Sequence, residues 1–169
     1  MYVLKNADVH DLPTIHKYVQ DMLSNNEKFF NDEKIFDISS GLRSREIKMK
    51  ECSILLLSCL IDYDRSVCER MPLMETIPEL MNFVNSNVSS AGAVCMKALG
   101  ILQILILTLK EKFGSSFQYT SMTDVLNENH SRKWCAFADQ LPPGKFKDRC
   151  STLCSDLQVL FPRSAPGSK

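Results

Sequence analysis

The run from Ala91 to Leu109 is apolar on almost every side, broken mainly by Lys97 and Gln103, and it passes directly into Lys110-Glu111-Lys112. A helix that is apolar around its whole circumference belongs either in a bilayer or at the centre of a folded domain. Its length approaches the roughly 20 residues that span hydrocarbon. Lys97 and Gln103 are costly there, so the segment is read as a core helix. The rest of the chain must then supply a shell around it.

That shell is available. The chain has 169 residues, 44% of them hydrophobic and 24% charged, which is the balance of a soluble domain. With 6 Gly and 7 Pro, a turn-rich all-β fold is disfavoured. Apolar residues recur instead at helical spacing. The expectation is an all-α fold of about seven helices in an armadillo/HEAT-like array around the long central helix. It forms a single domain over 1–161, followed by a disordered tail over 162–169.

Local signals place the helices. Asp11 can cap a helix opening Leu12-Pro13, with Ile15, Tyr18, Val19 and Met22 on one stripe and an end near Ser24-Asn25-Asn26. Phe29-Phe30 and Ile35-Phe36 read as core anchors on short helices or turns. Ser44 is the expected N-cap of a helix reaching about Asp62, and Asp64 the cap of a short one that Pro72 ends. Pro78 inside the next apolar pattern predicts a kink or a true start at Ile77 with Thr76 as cap. The central helix is expected from Val88 to about Phe113, with Gly92 and Gly100 admitting a neighbouring backbone. Ser115 to Thr120 reads as a loop, Met122 to Gln140 as a helix closed by Leu141-Pro142-Pro143-Gly144, and Lys145 to Leu160 as the last helix.

One internal echo stands out. Leu12 to Val19 and Ile77 to Val84 both open with an aliphatic residue and a proline, and share an aromatic and a valine at matching positions. Armadillo-like repeats begin helices in this way, and stacking them produces an elongated binding surface.

Chemistry is hard to find. The three His lie at 10, 16 and 130, away from any acid or thiol at ligand spacing. Cys150 and Cys154 could face one metal from a helix, but four ligands cannot be completed. No glycine-rich phosphate loop and no nucleophile elbow occurs. No catalytic, cofactor-binding or metal residues are therefore assigned, and the chain is read as no enzyme and without cofactor. The 7 Cys are an odd number and several lie in apolar stripes, so a disulfide framework is not expected and the thiols read as buried or half-buried. Met1-Tyr2-Val3-Leu4-Lys5 lacks the pattern of a secretory signal, giving the expectation of a chain kept inside the cell.

Charge is more informative. Lys plus Arg and Asp plus Glu number 20 each, which argues against nucleic acid and against a membrane surface as partners. The halves nonetheless differ in sign: residues 1–85 carry 10 basic and 14 acidic side chains, and residues 86–169 carry 10 basic and 6 acidic. Arg43, Arg45, Lys48 and Lys50 are interleaved with Glu46 and Glu51 and read as a solvated face. Lys110, Lys112, Arg132, Lys133, Lys145, Lys147 and Arg149 cluster at helix ends and are the candidate contact with an acidic surface. Tyr18, Trp134 and Phe137 are candidate anchors for a partner helix. The alternative for Trp134, Phe137 and Leu141, spaced i, i+3 and i+7, is the buried stripe of their own helix.

Several of these pieces together resemble the carboxy-terminal helical domain of the katanin regulatory subunit. Ala7-Asp8-Val9-His10-Asp11-Leu12 before an apolar helix is similar to that domain's entry. Pro78, Leu80, Val84, Ser86 and Leu99 fall on its Pro-x-Ile helix and the longer helix that follows. Arg132 to Leu141, and Asp156-Leu157-Gln158-Val159-Leu160, look like its Cys and Phe run ending in Gln-Leu and its closing helix. Residues 24–72 exceed the matching connection and read as an insertion or an extra helix pair. The resemblance implies a noncatalytic regulatory or scaffold subunit. It would pair with the amino-terminal helical domain of a microtubule-severing AAA ATPase and add microtubule or spindle-pole binding. The location implied is the cytoplasm, at the cytoskeleton and spindle pole, with the nucleus as a further site. The alternative reading is an armadillo-like adaptor for an extended peptide or partner helix, unrelated to microtubules.

Overall fold

The computed structural model describes residues 12–26, 28–90, 92–113 and 128–160. The expected Asp11 cap, the loop at 115–120, the helical turns at 122–127 and the tail at 162–169 lie outside the described residues. Among the described residues the chain is all-helical: α1 (Leu12–Asn25), α2 (Asp32–Ser40), a 3-10 turn (Gly41–Arg43), α3 (Ile47–Tyr63), α4 (Val67–Arg70), α5 (Leu73–Asn87), α6 (Gly92–Phe113), α7 (Glu128–Gln140) and α8 (Lys145–Leu160). The chain forms two compact units, Met1–Leu102 and Gln103–Lys169, with α6 contributing to both.

Unit 1 is organised by α3. Its residues Ser53 to Ile61 are buried without interruption, so this stretch has no solvent face and needs neighbours on all sides. α1, α2, the 3-10 turn and α4 all pack on it. α1 contributes Ile15 and Val19, α2 contributes Ile35 and Ile38, and the turn contributes Leu42, each almost fully buried. Burying one such side chain is worth about 1.5–3 kcal/mol. α5 adds Ile77, Leu80 and Val84, and the first half of α6 adds Cys95, Ala98, Leu99 and Leu102.

Local chemistry fixes the helix ends. The Asn31 side chain accepts the Lys34 N–H at 3.0 Å, and Asp32 and Glu33 occupy the positive first turn of α2. Arg70 then ties α4 to the start of α2, donating to Asp32 at 2.6 Å and to the Phe30 carbonyl at 2.8 Å. Where the chain turns from α2 toward α3, Gly41 lies so close to α3 that Ser53 Oγ stands where a β-carbon would be.

Several boundaries differ from the sequence reading. α3 begins at Ile47 rather than after Ser44, because the Ser44 hydroxyl accepts the Glu46 N–H at 3.1 Å and forms a local turn instead of a cap. α5 starts at Leu73 and runs through Pro78. Thr76 is no cap, since its hydroxyl donates back to the Pro72 carbonyl at 2.9 Å. Val88 closes α5 and α6 begins at Gly92, which faces open space and not a neighbouring backbone. Phe36, expected in the core, is 46% exposed, because Ile35 and Ile38 take the inward face of α2. α6 is long and apolar enough to cross a membrane over Gly92–Lys112, with 56% of its most apolar window buried inside the protein.

Unit 2 contains the second half of α6 with α7 and α8. α7 and α8 form an antiparallel hairpin around Leu141 to Gly144. Gly144 has φ of +152°, a backbone state that side-chain-bearing residues avoid. Lys147 donates to the carbonyls of Asp139 and Leu141 at 3.1 and 3.0 Å, placing a cation on the negative end of α7. Trp134 is 2% exposed and donates its indole N–H to the Cys150 carbonyl at 3.1 Å. Arg149 donates to Gln103 at 2.8 Å, and Lys110 pairs with Asp156 at 2.7 Å, joining α8 to α6. A disulfide links Cys135 of α7 to Cys154 of α8, with Cα atoms 5.4 Å apart. This corrects the expectation that Cys154 stays a thiol. The turn at Gly144 places two positions nearly equidistant from it on facing helices, a tertiary fact that spacing along either helix alone does not reveal.

The close approach at Gly41 gives a direct test. Gly41→Ala is expected to destabilise the chain by about 1–2 kcal/mol through overpacking against α3, and Ser53→Ala in the same chain to restore most of that loss, both read by denaturant unfolding.

Candidate functional site

The seven basic positions of the second half divide sharply. Lys110, Lys147 and Arg149 are half-buried and spend their donors inside unit 2, on Asp156, on the α7 carbonyls and on Gln103. These three hold helices together. Lys112, Arg132, Lys133 and Lys145 have exposed side chains, on the last turn of α6, on α7 and at the start of α8. His130 lies one turn before Lys133, and burial together with the Lys133 charge lowers its pKa. The imidazole is therefore neutral at pH 7 and adds nothing to the cationic face.

The three aromatic anchors also separate. Trp134 is enclosed, its ring 5.4 Å from that of Phe137 and its N–H engaged, so it serves the interior of unit 2. Phe137 and, in unit 1, Tyr18 are half-buried, with part of each ring left in solvent. The structure adds others. In unit 1, Phe36 is 46% exposed, Ile47 45% and Tyr63 58%. Phe36 lies between the inward Ile35 and Ile38 of α2, and Ile47 and Tyr63 are the two end residues of α3, outside its buried run Ser53 to Ile61.

A shallow cleft in unit 1 is lined by Ser39, Ser40, Arg43, Pro72, Glu75 and Thr76. Its polar groups are already committed. Ser39 donates to the Ile35 carbonyl at 2.6 Å, Ser40 to Asp37 at 2.7 Å and Thr76 to Pro72 at 2.9 Å, while Arg43 pairs with Glu75 at 2.7 Å. The cleft fastens α5 to the 3-10 turn.

The thiols are held in their protonated form. Burial pushes Cys59, Cys68 and Cys95 up to about 11, and burial with the Glu51 charge raises Cys52. A thiol so placed is a poor nucleophile. Among the described residues, no group of three or more His, Cys, Asp or Glu is arranged to hold a metal ion. Cys150 is buried one turn from Cys154, and Cys154 is committed to Cys135.

Comparison of the chain with protein-family models, with curated proteins and with solved structures returns no match. The residues themselves must carry any functional reading.

The split role of Trp134 and Phe137 is testable. Trp134→Phe removes a buried hydrogen bond and is expected to cost about 1–2 kcal/mol, whereas Phe137→Ala, at a half-buried site, costs less than Trp134→Ala, which loses about 3–5 kcal/mol. Thermal unfolding of the three variants orders them.

Proposed function

We propose that the chain is a noncatalytic helical subunit that docks on the amino-terminal helical domain of a microtubule-severing AAA ATPase and adds basic surface to the pair. The observation that carries this reading is that unit 1 leaves large apolar side chains in solvent, Phe36, Ile47 and Tyr63, and Tyr18 half-buried. Helix-on-helix association buries side chains of this kind, at about 25 cal/mol per Å² of apolar surface removed from water. A stable interface needs roughly 800 Å² on each partner. The similarity of Pro78 to Leu99 and of Arg132 to Leu141 to the katanin regulatory domain directs the choice of partner. In this reading the helices stack in an armadillo/HEAT-like manner, supported by the sequence echo between Leu12 to Val19 of α1 and Ile77 to Val84 within α5.

The mechanism divides the labour by charge and apolarity. Tyr18, Phe36, Ile47 and Tyr63 supply contact area, and Lys112, Lys133 and Lys145 attract the acidic microtubule surface in a salt-dependent way. ATP hydrolysis belongs to the partner.

Coexpression with the amino-terminal domain of the katanin catalytic subunit, followed by size-exclusion chromatography with light scattering, tests the proposal. The expected result is a defined heterodimer that Tyr18→Ala weakens. Lys112→Glu, Lys133→Glu and Lys145→Glu together should lower microtubule cosedimentation of that heterodimer several-fold without altering its assembly. A folded chain that never coelutes with the catalytic-subunit domain overturns the reading.

A further inference from the structure

The 7 cysteines of the chain are treated very differently by the fold. Cys59, Cys68, Cys95 and Cys150 are buried thiols. Cys52 is a half-buried thiol of unit 1, and burial and the Glu51 charge hold it protonated. Cys135 and Cys154 are also half-buried, but they face each other across the α7–α8 hairpin and are bonded, and the side-chain amide of Gln158 lies 3.8 and 3.7 Å from their two sulfurs. A small thiol can therefore reach the bonded pair, while Cys59, Cys68, Cys95 and Cys150 are shielded from it by burial.

The hairpin also has supports that do not depend on the bond. Trp134 is anchored to the Cys150 carbonyl, Lys147 holds the end of α7, and Ala138, Leu153 and Leu157 are buried. None of these contacts runs through the sulfurs, so the hairpin has means of holding the two cysteines near each other when the bond is open. What changes is the freedom of the unfolded chain, in which the bond closes a segment with a sequence separation of 19.

We propose that Cys135 and Cys154 form a reversible dithiol–disulfide site that exchanges with small thiols and disulfides of the glutathione class, and that its redox state sets the stability of the α7–α8 hairpin. In the reducing direction a glutathione thiolate attacks one sulfur of the pair, the Cys135–Cys154 bond breaks, and the other cysteine leaves as a thiolate that takes a proton. A second glutathione thiolate then attacks the glutathione sulfur of the mixed disulfide. The first cysteine is released as a thiol and glutathione disulfide is formed. Two electrons pass from two glutathiones to the protein disulfide, and the reverse sequence restores it. This site is independent of any partner helix.

The test equilibrates the full chain in glutathione buffers of varying thiol-to-disulfide ratio, quenches with acid, alkylates and maps the cysteines by mass spectrometry. The expected result is a single two-electron transition confined to Cys135 and Cys154, the other five sulfurs remaining thiols throughout. Thermal unfolding of the reduced chain should fall by about 5–10 °C relative to the oxidised chain. Cys135→Ser with Cys154→Ser should unfold near the reduced value and ignore the buffer. Four results overturn the proposal: no bond in excess glutathione disulfide, a bond between other cysteines, a bond that millimolar glutathione does not open, or equal unfolding temperatures in the two states.

Discussion

A helix without a solvent face is the constraint from which the rest of the molecule follows. Ser53 to Ile61 are buried in succession, and every turn of that stretch needs apolar atoms around it. α1, α2, the 3-10 turn and α4 meet this need from separate directions. Gly41 is small because the chain crosses α3 at van der Waals contact there. The short α4 is held at the edge by Arg70, whose guanidinium bridges Asp32 and the Phe30 carbonyl. None of these satellite elements is long or apolar enough to be stable alone in water. Their order is borrowed from the surface they cover.

Unit 2 is built on a different balance. α7 and α8 are amphipathic and well supplied with charge, and their hairpin is fastened by polar contacts as much as by burial. Trp134 unites the two, filling the interior with its ring while its N–H bonds the Cys150 carbonyl. Three of the basic side chains that make the second half of the chain cationic are consumed in the same task, by Asp156, Gln103 and the carbonyls at the end of α7. The net charge of a segment is thus a poor guide to the charge it can offer a partner. Lys112, Arg132, Lys133 and Lys145 keep exposed side chains.

The pattern of what could be read in the sequence follows from this physics. α1 ends and α8 begins and ends where the apolar spacing and the flanking Asn and Pro-Pro-Gly residues place them. The burial of α6 is written in its composition. Ser44 and Thr76 are different, since a hydroxyl that can cap a helix can equally close a turn or bond back to a carbonyl, and only the surrounding chain decides. Phe36 shows the limit of residue type as a guide to burial: α2 has one inward face, Ile35 and Ile38 fill it, and the larger ring is left outside. The sites were less legible than the fold. Trp134 fitted two roles, the buried stripe being the simpler, until its surroundings were known, and Cys135 with Cys154 became a pair only when the hairpin set them opposite one another.

Native-state hydrogen exchange tests the dependence on α3 most directly. If the satellites borrow their order from this helix, the amides of Ile54 to Leu60 exchange only through global unfolding of unit 1, while those of α1, α2 and α4 exchange faster through partial openings that leave α3 intact. The account is contradicted if the α3 amides exchange as fast as those of α1 or α2, since a helix that opens with its covering elements cannot be what holds them.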